Sequence, residues 1–443
     1  MKLDTKKTIF VGLAFLSICA FWQMYNSIIP LVLTNTFHIN ETYSGFIMAA
    51  DNILALFLLP LFGSLSDKCN AKMGRRKPFI IGGTVVSCGL MLLLPLLDDS
   101  YFNAPNTFTM VAFVVVLGLL LISMGTYRSP AVALMPDVTP KPLRSKGNAV
   151  INLMGGVGGI LYLVITSVLY SSARTEGLDH VSYFLIFAVV AGIMLFAVAV
   201  LMLTIDEPKL VAEVTAYEEA HPSENLMQVD EQGNETIPAD VKRSLVFLLC
   251  SISLWFIGYN AIETWFTVYA TNMWNMSLGS AATCLTIATG GAILSYIPIG
   301  IVASNIGRKK TILCGVVLLA SCFAAGYIYT LFSDSFHVAL YLLFALVGLA
   351  WASINVNSLP MVVEMCKGSD VGKFTGYYYT FSMAAQTITP IVAGWLLSNI
   401  GYQMLFPYAA VFVALAFFTM WQVKHGDQKC VAKKGLEAFD VDD

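Results

Sequence analysis

Residues 42–78 read TYSGFIMAADNILALFLLPLFGSLSDKCNAKMGRRKP. The stretch through residue 64 is apolar apart from a few polar groups, and Asp51 is its single formal charge. The remainder is a short loop carrying Lys68, Lys72, Arg75, Arg76 and Lys77. About 20 apolar residues suffice to cross the hydrocarbon core of a bilayer, and a basic loop marks the cytosolic end. The run is apolar all round rather than alternating, which favours a helix over a barrel strand.

The same pattern recurs along the whole chain. Apolar segments fall at 8–33, 42–64, 79–97, 107–130, 147–171, 181–204, 243–270, 279–304, 311–332, 337–362, 373–398 and 402–423. All but Arg128 and Arg174 of the 25 Lys and Arg lie on one side of this arrangement. The expected topology is therefore twelve membrane helices with both termini in the cytosol. The first apolar run is too long for a signal-peptide core and lacks a small-residue cleavage site, so it reads as the first helix.

Composition agrees. Of 443 residues, 57% are hydrophobic and 12% charged, where a soluble domain has about 25% charged. This excludes an ordinary soluble enzyme and a disordered chain. Lys+Arg 25 against Asp+Glu 28 leaves no basic excess for nucleic acid. The nine cysteines form no CxxC pair, and no cluster has metal-ligand spacing, so neither a metal nor a cofactor is expected.

Residues 205–242 differ: they are acidic and show no apolar period. They read as a solvated cytosolic linker. The expected organisation is a six-helix bundle over 1–204, this linker, a second six-helix bundle over 243–424 and a cytosolic tail over 425–443. The two halves repeat weakly. Tyr25-Asn26-Ser27-Ile28 matches Tyr259-Asn260-Ala261-Ile262. Gly63-xxx-Asp67-Lys68 with Gly74-Arg75-Arg76-Lys77 matches Gly300-xxx-Ser304-Asn305 with Gly307-Arg308-Lys309-Lys310 at nearly the same offset. Two repeated halves around a central site are transporter architecture.

The loop from Gly63 to Pro78 resembles the loop signature of the major facilitator superfamily, with a longer gap before its second glycine. Gly63 permits close approach of a neighbour, and Asp67 can meet a helix terminus or an arginine across the interface between halves. Gly63, Asp67, Gly74, Arg75, Arg76 and, further on, Arg144 are the expected gating residues. Ser304 replaces the acid in the second copy, so the charged latch should be lopsided. Ser66-Asp67-Lys68-Cys69 followed by Gly74-Arg75-Arg76-Lys77-Pro78-Phe79 resembles the sucrose/proton symporters of plants and their bacterial and animal relatives. The glycoside–pentoside–hexuronide carriers share the long-gap loop. Ala133-Leu134-Met135-Pro136-Asp137-Val138-Thr139, then Arg144 and Asn148-Ala149, resembles the fourth-helix motif of the same symporters. Val132 stands where that family has an arginine, and Arg128 lies one turn earlier. The resemblance implies that Asp137 is the proton-linked acid.

Four ionisable groups lie within the apolar runs: Asp51, Arg128, Glu263 and Glu364. A charge at the bilayer centre costs about 2.5–3.5 kcal/mol by insertion scales, so each is a functional candidate. Asp137, Arg128, Asp51 and Glu364 are the expected proton-coupling set. Helical spacing puts Trp22, Gln23 and Asn26 on one face, and Tyr259, Asn260 and Glu263 on another. With Asn152, Asn357, Tyr378 and Gln386 they form the expected substrate lining. Amides, carboxylates and aromatic rings suit a sugar, whereas an anionic substrate would need several inward Lys or Arg. Gly155-Gly156-Val157-Gly158-Gly159 and Gly290-Gly291 should allow close helix packing.

The expectation is thus a plasma-membrane, multi-pass, monomeric secondary transporter in contact with lipid, and not an enzyme. It would import a disaccharide, sucrose or a maltose-type glucoside, with protons by alternating access. The alternatives are a sodium-coupled or uncoupled carrier of glycosides, pentosides or hexuronides, and a non-transporting sugar sensor.

Overall fold

The computed structural model describes residues 4–140, 144–175, 177–220, 238–365 and 371–427. These residues are helical apart from short connections. The helices are α1 (Thr5–Leu31), α2 (Glu41–Asp67), α3 (Lys77–Asn103), α4 (Thr107–Asp137), α5 (Arg144–Leu169), the short α6 (Ser172–Thr175), α7 (Phe184–Thr204), α8 (Glu207–Ala220), α9 (Ala239–Trp274), α10 (Leu278–Ile306), α11 (Arg308–Phe332), α12 (Ala339–Glu364), α13 (Val371–Asn399) and α14 (Leu405–Gln422). All except α6 and α8 are long and apolar enough to cross a membrane.

Local chemistry sets the ends. Asn40, Asn106 and Ser277 cap α2, α4 and α10 by accepting from Thr42, Thr109 and Ser280 backbone N–H groups at 2.8, 2.8 and 3.2 Å. Gly307, at φ 97°, ends α10 and starts α11 in one residue. Prolines inside α1, α3, α4, α10, α12 and α13 are tolerated because neighbouring helices shield the freed backbone groups.

The packing shows the repeat that the two short sequence matches only suggest. α1 packs on α5 and α7, α3 on α4 and α7, and α2 on α4. In the second half α9 packs on α13 and α14, α11 on α12 and α14, and α10 on α12. Each contact has its counterpart. Between the halves, α2 meets α13 and α5 meets α10, again as a matched pair, while α1 meets α9. Small residues let these helices touch. A Cβ on Gly45 would strike the Pro390 carbonyl, and one on Gly394 would strike that of Glu41. Gly158 abuts the Leu16 backbone in the same way, as the glycine run leads one to expect. Gly290 departs from that expectation, with nothing within 4 Å of its Cβ position.

The outer faces are apolar: Phe57, Leu203, Phe332 and Trp421 are exposed, as a lipid-facing surface requires. Several helices outrun their apolar segments. α3 continues through Asp98 and Asp99 to Asn103, and α4 through Asp137.

The linker expectation needs correction. Residues 207–220 form α8, on which Glu207, Leu210 and Val214 are buried, and Glu207 bonds to backbone N–H groups of the first half. A segment holding three buried side chains is a docked helix rather than a solvated chain. Residues 221–237, and 428–443 of the expected tail, lie outside the described residues.

Candidate functional site

A cavity of about 460 Å³ lies between the halves. The first half contributes Gln23 from α1 and Asn152 from α5. The second contributes Tyr259, Asn260 and Glu263 from α9, and Tyr378 and Gln386 from α13. These belong to the set read from the sequence. The structure adds Phe256, Thr289, Tyr296, Trp351 and Ser382, none of which the helical spacing singled out, together with Asn355. A signal existed for three of them. Trp351 and Asn355 are four apart on α12, and Tyr378, Ser382 and Gln386 recur every four residues on α13.

The cavity has an aromatic platform. Tyr259 and Trp351 stack face to face, with ring centroids 3.7 Å apart and planes at 8°. Phe256 buttresses Trp351 edge-on at 5.3 Å. The Tyr378 hydroxyl lies 3.2 Å from the Ser358 hydroxyl, which holds that ring in the wall. Around the platform stand polar groups without protein partners. Among the described residues, the side chains of Gln23, Glu263, Asn355 and Gln386 make no hydrogen bond or ion pair, and the buried Asn260 amide nitrogen is likewise unsatisfied. Buried polar groups are nearly always paired. Their convergence on one cavity marks them as donors and acceptors for a ligand. Among the described residues, no Lys or Arg is in the lining.

Three expected lining residues are elsewhere. Asn357 is 2% exposed and donates to the Ser353 carbonyl at 2.9 Å, so its amide is spent on its own helix. Asn26 is not among the residues that line this cavity. Trp22 lines a second, smaller cavity with Asp51 and Arg128. There the Arg128 guanidinium sits 5.6 Å from the centre of the Trp22 ring. Asp51 and Arg128 therefore do share one level, although counting 1.5 Å per residue from Asp67 and Asp137 puts them at different heights. They make no ion pair within 4.0 Å.

Asp137 lies apart from this pair. Its carboxylate is held by Arg75 at 2.7 Å and by Arg76 at 2.8 Å. Asp137 thus stands away from the other members of the expected coupling set: α4 runs on past the cavity level and delivers it to the loop after α2. Arg76 is the hub there. It is 4% exposed and also reaches Asp67 at 2.5 Å and the Ser66 hydroxyl at 2.5 Å. Asp67 thus pairs within its own half rather than across the interface. The Gly63 Cβ position lies 3.0 Å from the Ser129 hydroxyl, and the Gly63 carbonyl accepts from Arg76 at 3.4 Å.

Glu207 completes the network. It accepts from the backbone N–H groups of Arg75, Arg76 and Lys77 at 2.8, 2.9 and 3.1 Å. A carboxylate on the N-terminus of α3 is favoured by both the free N–H groups and the helix dipole. Gly74 turns at φ 113° directly against it. The second half copies this design. Arg308 pairs with Glu364, and Asp427 accepts from Lys309 N–H at 3.2 Å beside Gly307. Glu364, expected in the proton-coupling set, is thus the counterpart of Asp137. The side chains of Arg144 and Ser304 lie outside the described residues.

The halves are joined at the opposite end. Gly279 N–H donates to the Tyr170 carbonyl at 2.9 Å, and Ser172 meets Ser277 and Ser280 at 3.2 and 3.1 Å. Asn40 pairs with Ser398, and Tyr402 with Glu41.

Comparison with known proteins fits this geometry. The sequence profile described as Major Facilitator Superfamily matches residues 11–289 and again residues 273–435. The chain is 30% identical over 152 residues to the sucrose transport protein SUC3 of Arabidopsis thaliana, covering 32% of this chain and 25% of that protein. It is 30% identical over 121 residues to the sucrose transport protein SUT3 of Oryza sativa subsp. indica, covering 25% of this chain and 24% of that one. These alignments span about a quarter of the relatives' length. Among solved structures, an inward open conformation of the xylose transporter XylE from E. coli superposes with a TM-score of 0.66 at 14% identity, over 98% of both chains. A bacterial homologue of the iron transporter ferroportin gives 0.70 at 11% identity, over 96% of this chain and 100% of that one. At such identities the likeness is one of fold.

Proposed function

The chain belongs to the Major Facilitator Superfamily, and from that premise we propose that it imports a disaccharide, sucrose or a maltose-type glucoside, coupled to protons. The observation that carries the reading is the central cavity. An aromatic platform of Tyr259 on Trp351 suits the apolar face of a sugar ring. Amides at Gln23, Asn260, Asn355 and Gln386 suit its hydroxyls. The absence of Lys and Arg from the lining among the described residues disfavours phosphorylated and other anionic substrates. About 460 Å³ falls within the usual range for small-ligand sites. The names of the sucrose transport proteins it resembles point the same way.

The basic end, with its Arg75–Arg76–Lys77 cluster, faces the cytosol in this reading. Alternating access exchanges the seam at Gly45, Gly394, Tyr170 and Gly279 for contacts at the basic end. Glu263 in the cavity, and Asp51 with Arg128 beside it, are the proton-linked groups. Asp137 and Glu364 belong to the two latches. One charge moving through about 100 mV releases about 2.3 kcal/mol. That supports roughly fifty-fold accumulation of a neutral sugar at about 1.4 kcal/mol per decade.

Titration of the purified protein with sucrose and maltose, followed by tryptophan fluorescence, tests the substrate class. A saturable change that Trp351→Ala and Asn260→Ala weaken supports the proposal. Absence of a saturable change with any neutral glycoside overturns it.

A further inference from the structure

We propose that Asp98, Asp99 and His180 form a zinc-binding site at the end of the molecule opposite the two latches. The three residues each offer one ligand atom, and these atoms lie within 4.8 Å of one another. His180 Nε2 is 2.8 Å from Asp99 Oδ1 and 3.8 Å from Asp98 Oδ2. Ligands at about 2.0–2.2 Å from a tetrahedral zinc stand roughly 3.3–3.6 Å apart. The two separations bracket that spacing.

The cluster is more than an acidic patch. The Asp98 side chain is 0% exposed, and neither of its oxygens has a hydrogen-bond partner. Thr36 is its neighbouring hydroxyl but does not meet hydrogen-bond geometry. A buried carboxylate without a hydrogen bond is costly, and a divalent cation offsets that cost. The surroundings are built to orient ligands. Ser182 Oγ donates to Asp99 Oδ2 at 2.7 Å, the outer-shell hydrogen bond that fixes a ligating carboxylate. Phe102 stacks on the His180 ring at 4.3 Å and 13°, which fixes the imidazole plane. His180 and Asp99 are 16% and 30% exposed, so an ion can enter and a water can complete the shell.

One imidazole and two carboxylates suit zinc, whereas calcium and magnesium take oxygen ligands alone. The ion would tie the end of α3 to the segment before α7. That segment is held to Tyr170, whose hydroxyl donates to the Ser182 carbonyl at 3.0 Å and whose own carbonyl accepts from Gly279 of the other half. The site therefore adjoins the seam between halves.

Isothermal titration of the purified full chain with zinc chloride, with calcium chloride as control, tests the proposal. The expected result is a saturable zinc site that calcium does not fill. His180→Ala should weaken it at least tenfold, and so should Asp99→Asn, which leaves the buried Asp98 intact and guards against a folding defect. The proposal fails if zinc shows no saturable binding. It also fails if folded His180→Ala and Asp99→Asn proteins, eluting as the wild type does, bind zinc with unchanged affinity and stoichiometry.

Discussion

The Glu207 carboxylate occupies the space that a Cβ on Gly74 would need, and caps the three N–H groups that follow that turn. A glycine in the loop after α2 and the acid that opens α8 are therefore one structural unit. Glu207→Ala should lower thermal stability by removing charge-assisted hydrogen bonds worth about 1.5–3 kcal/mol in all. Gly74→Ala should also destabilise, because φ 113° disfavours a side chain and because it meets Glu207. The double variant should be less damaged than the sum, since the clash vanishes with Glu207. Melting of the four proteins in detergent measures this coupling; strict additivity would contradict it.

Asp137→Asn distinguishes a latch from a proton carrier. Arg75 and Arg76 both hold this carboxylate, and Arg76 in turn holds Asp67. Loosening the latch should slow sugar counterflow and gradient-driven uptake by a similar factor. Loss of accumulation with counterflow intact would return Asp137 to the coupling role that the family resemblance implies.

Glu263→Gln should behave in the opposite manner. Wild-type uptake is expected to rise as the external pH falls, because the proposed symport carries protons in with the sugar. With an amide in place of the carboxylate, counterflow should persist, while uptake should lose most of its pH dependence. Retention of the wild-type pH profile would remove Glu263 from the coupling path.

Trp351→Ala should raise the half-saturation concentration for sugar by about tenfold. Aromatic pairs contribute about 0.5–1.5 kcal/mol beyond their buried area, and the substrate-facing surface is lost as well. Trp351→Phe should recover part of the affinity. A change in maximal rate alone would argue against a platform.

How much of this was legible in the sequence depends on what each residue contacts. The helices were, because every backbone polar group in a bilayer must be satisfied within its own segment, and apolar runs of sufficient length announce that. Their ends were not. Asp98 and Asp99 lie beyond the apolar run, yet α3 continues through them, where Asp99 meets His180 from a distant segment. Glu207 was lost in an acidic stretch, since its partners are backbone N–H groups with no sequence signature. The spacing of Leu210 and Val214 was the available hint of a buried face. Gln23, Tyr259 and Glu263 were legible as polar groups at helical spacing within apolar runs. Tyr296 was not, because an aromatic residue in a membrane helix reads equally well as packing, and Trp351 was marked only by its four-residue spacing from Asn355. Asn357 shows the converse error: a buried amide can be satisfied by its own helix.

The central claim is that sugar enters against its gradient at the expense of protons. Its most direct test is uptake of labelled sucrose and maltose into proteoliposomes, with an inward proton gradient, with an inward sodium gradient and with neither. The account predicts accumulation of at least one sugar above the external concentration under the proton gradient alone, collapsing when a protonophore is added. Accumulation driven only by sodium, equilibration without accumulation, or no flux of either sugar would contradict it.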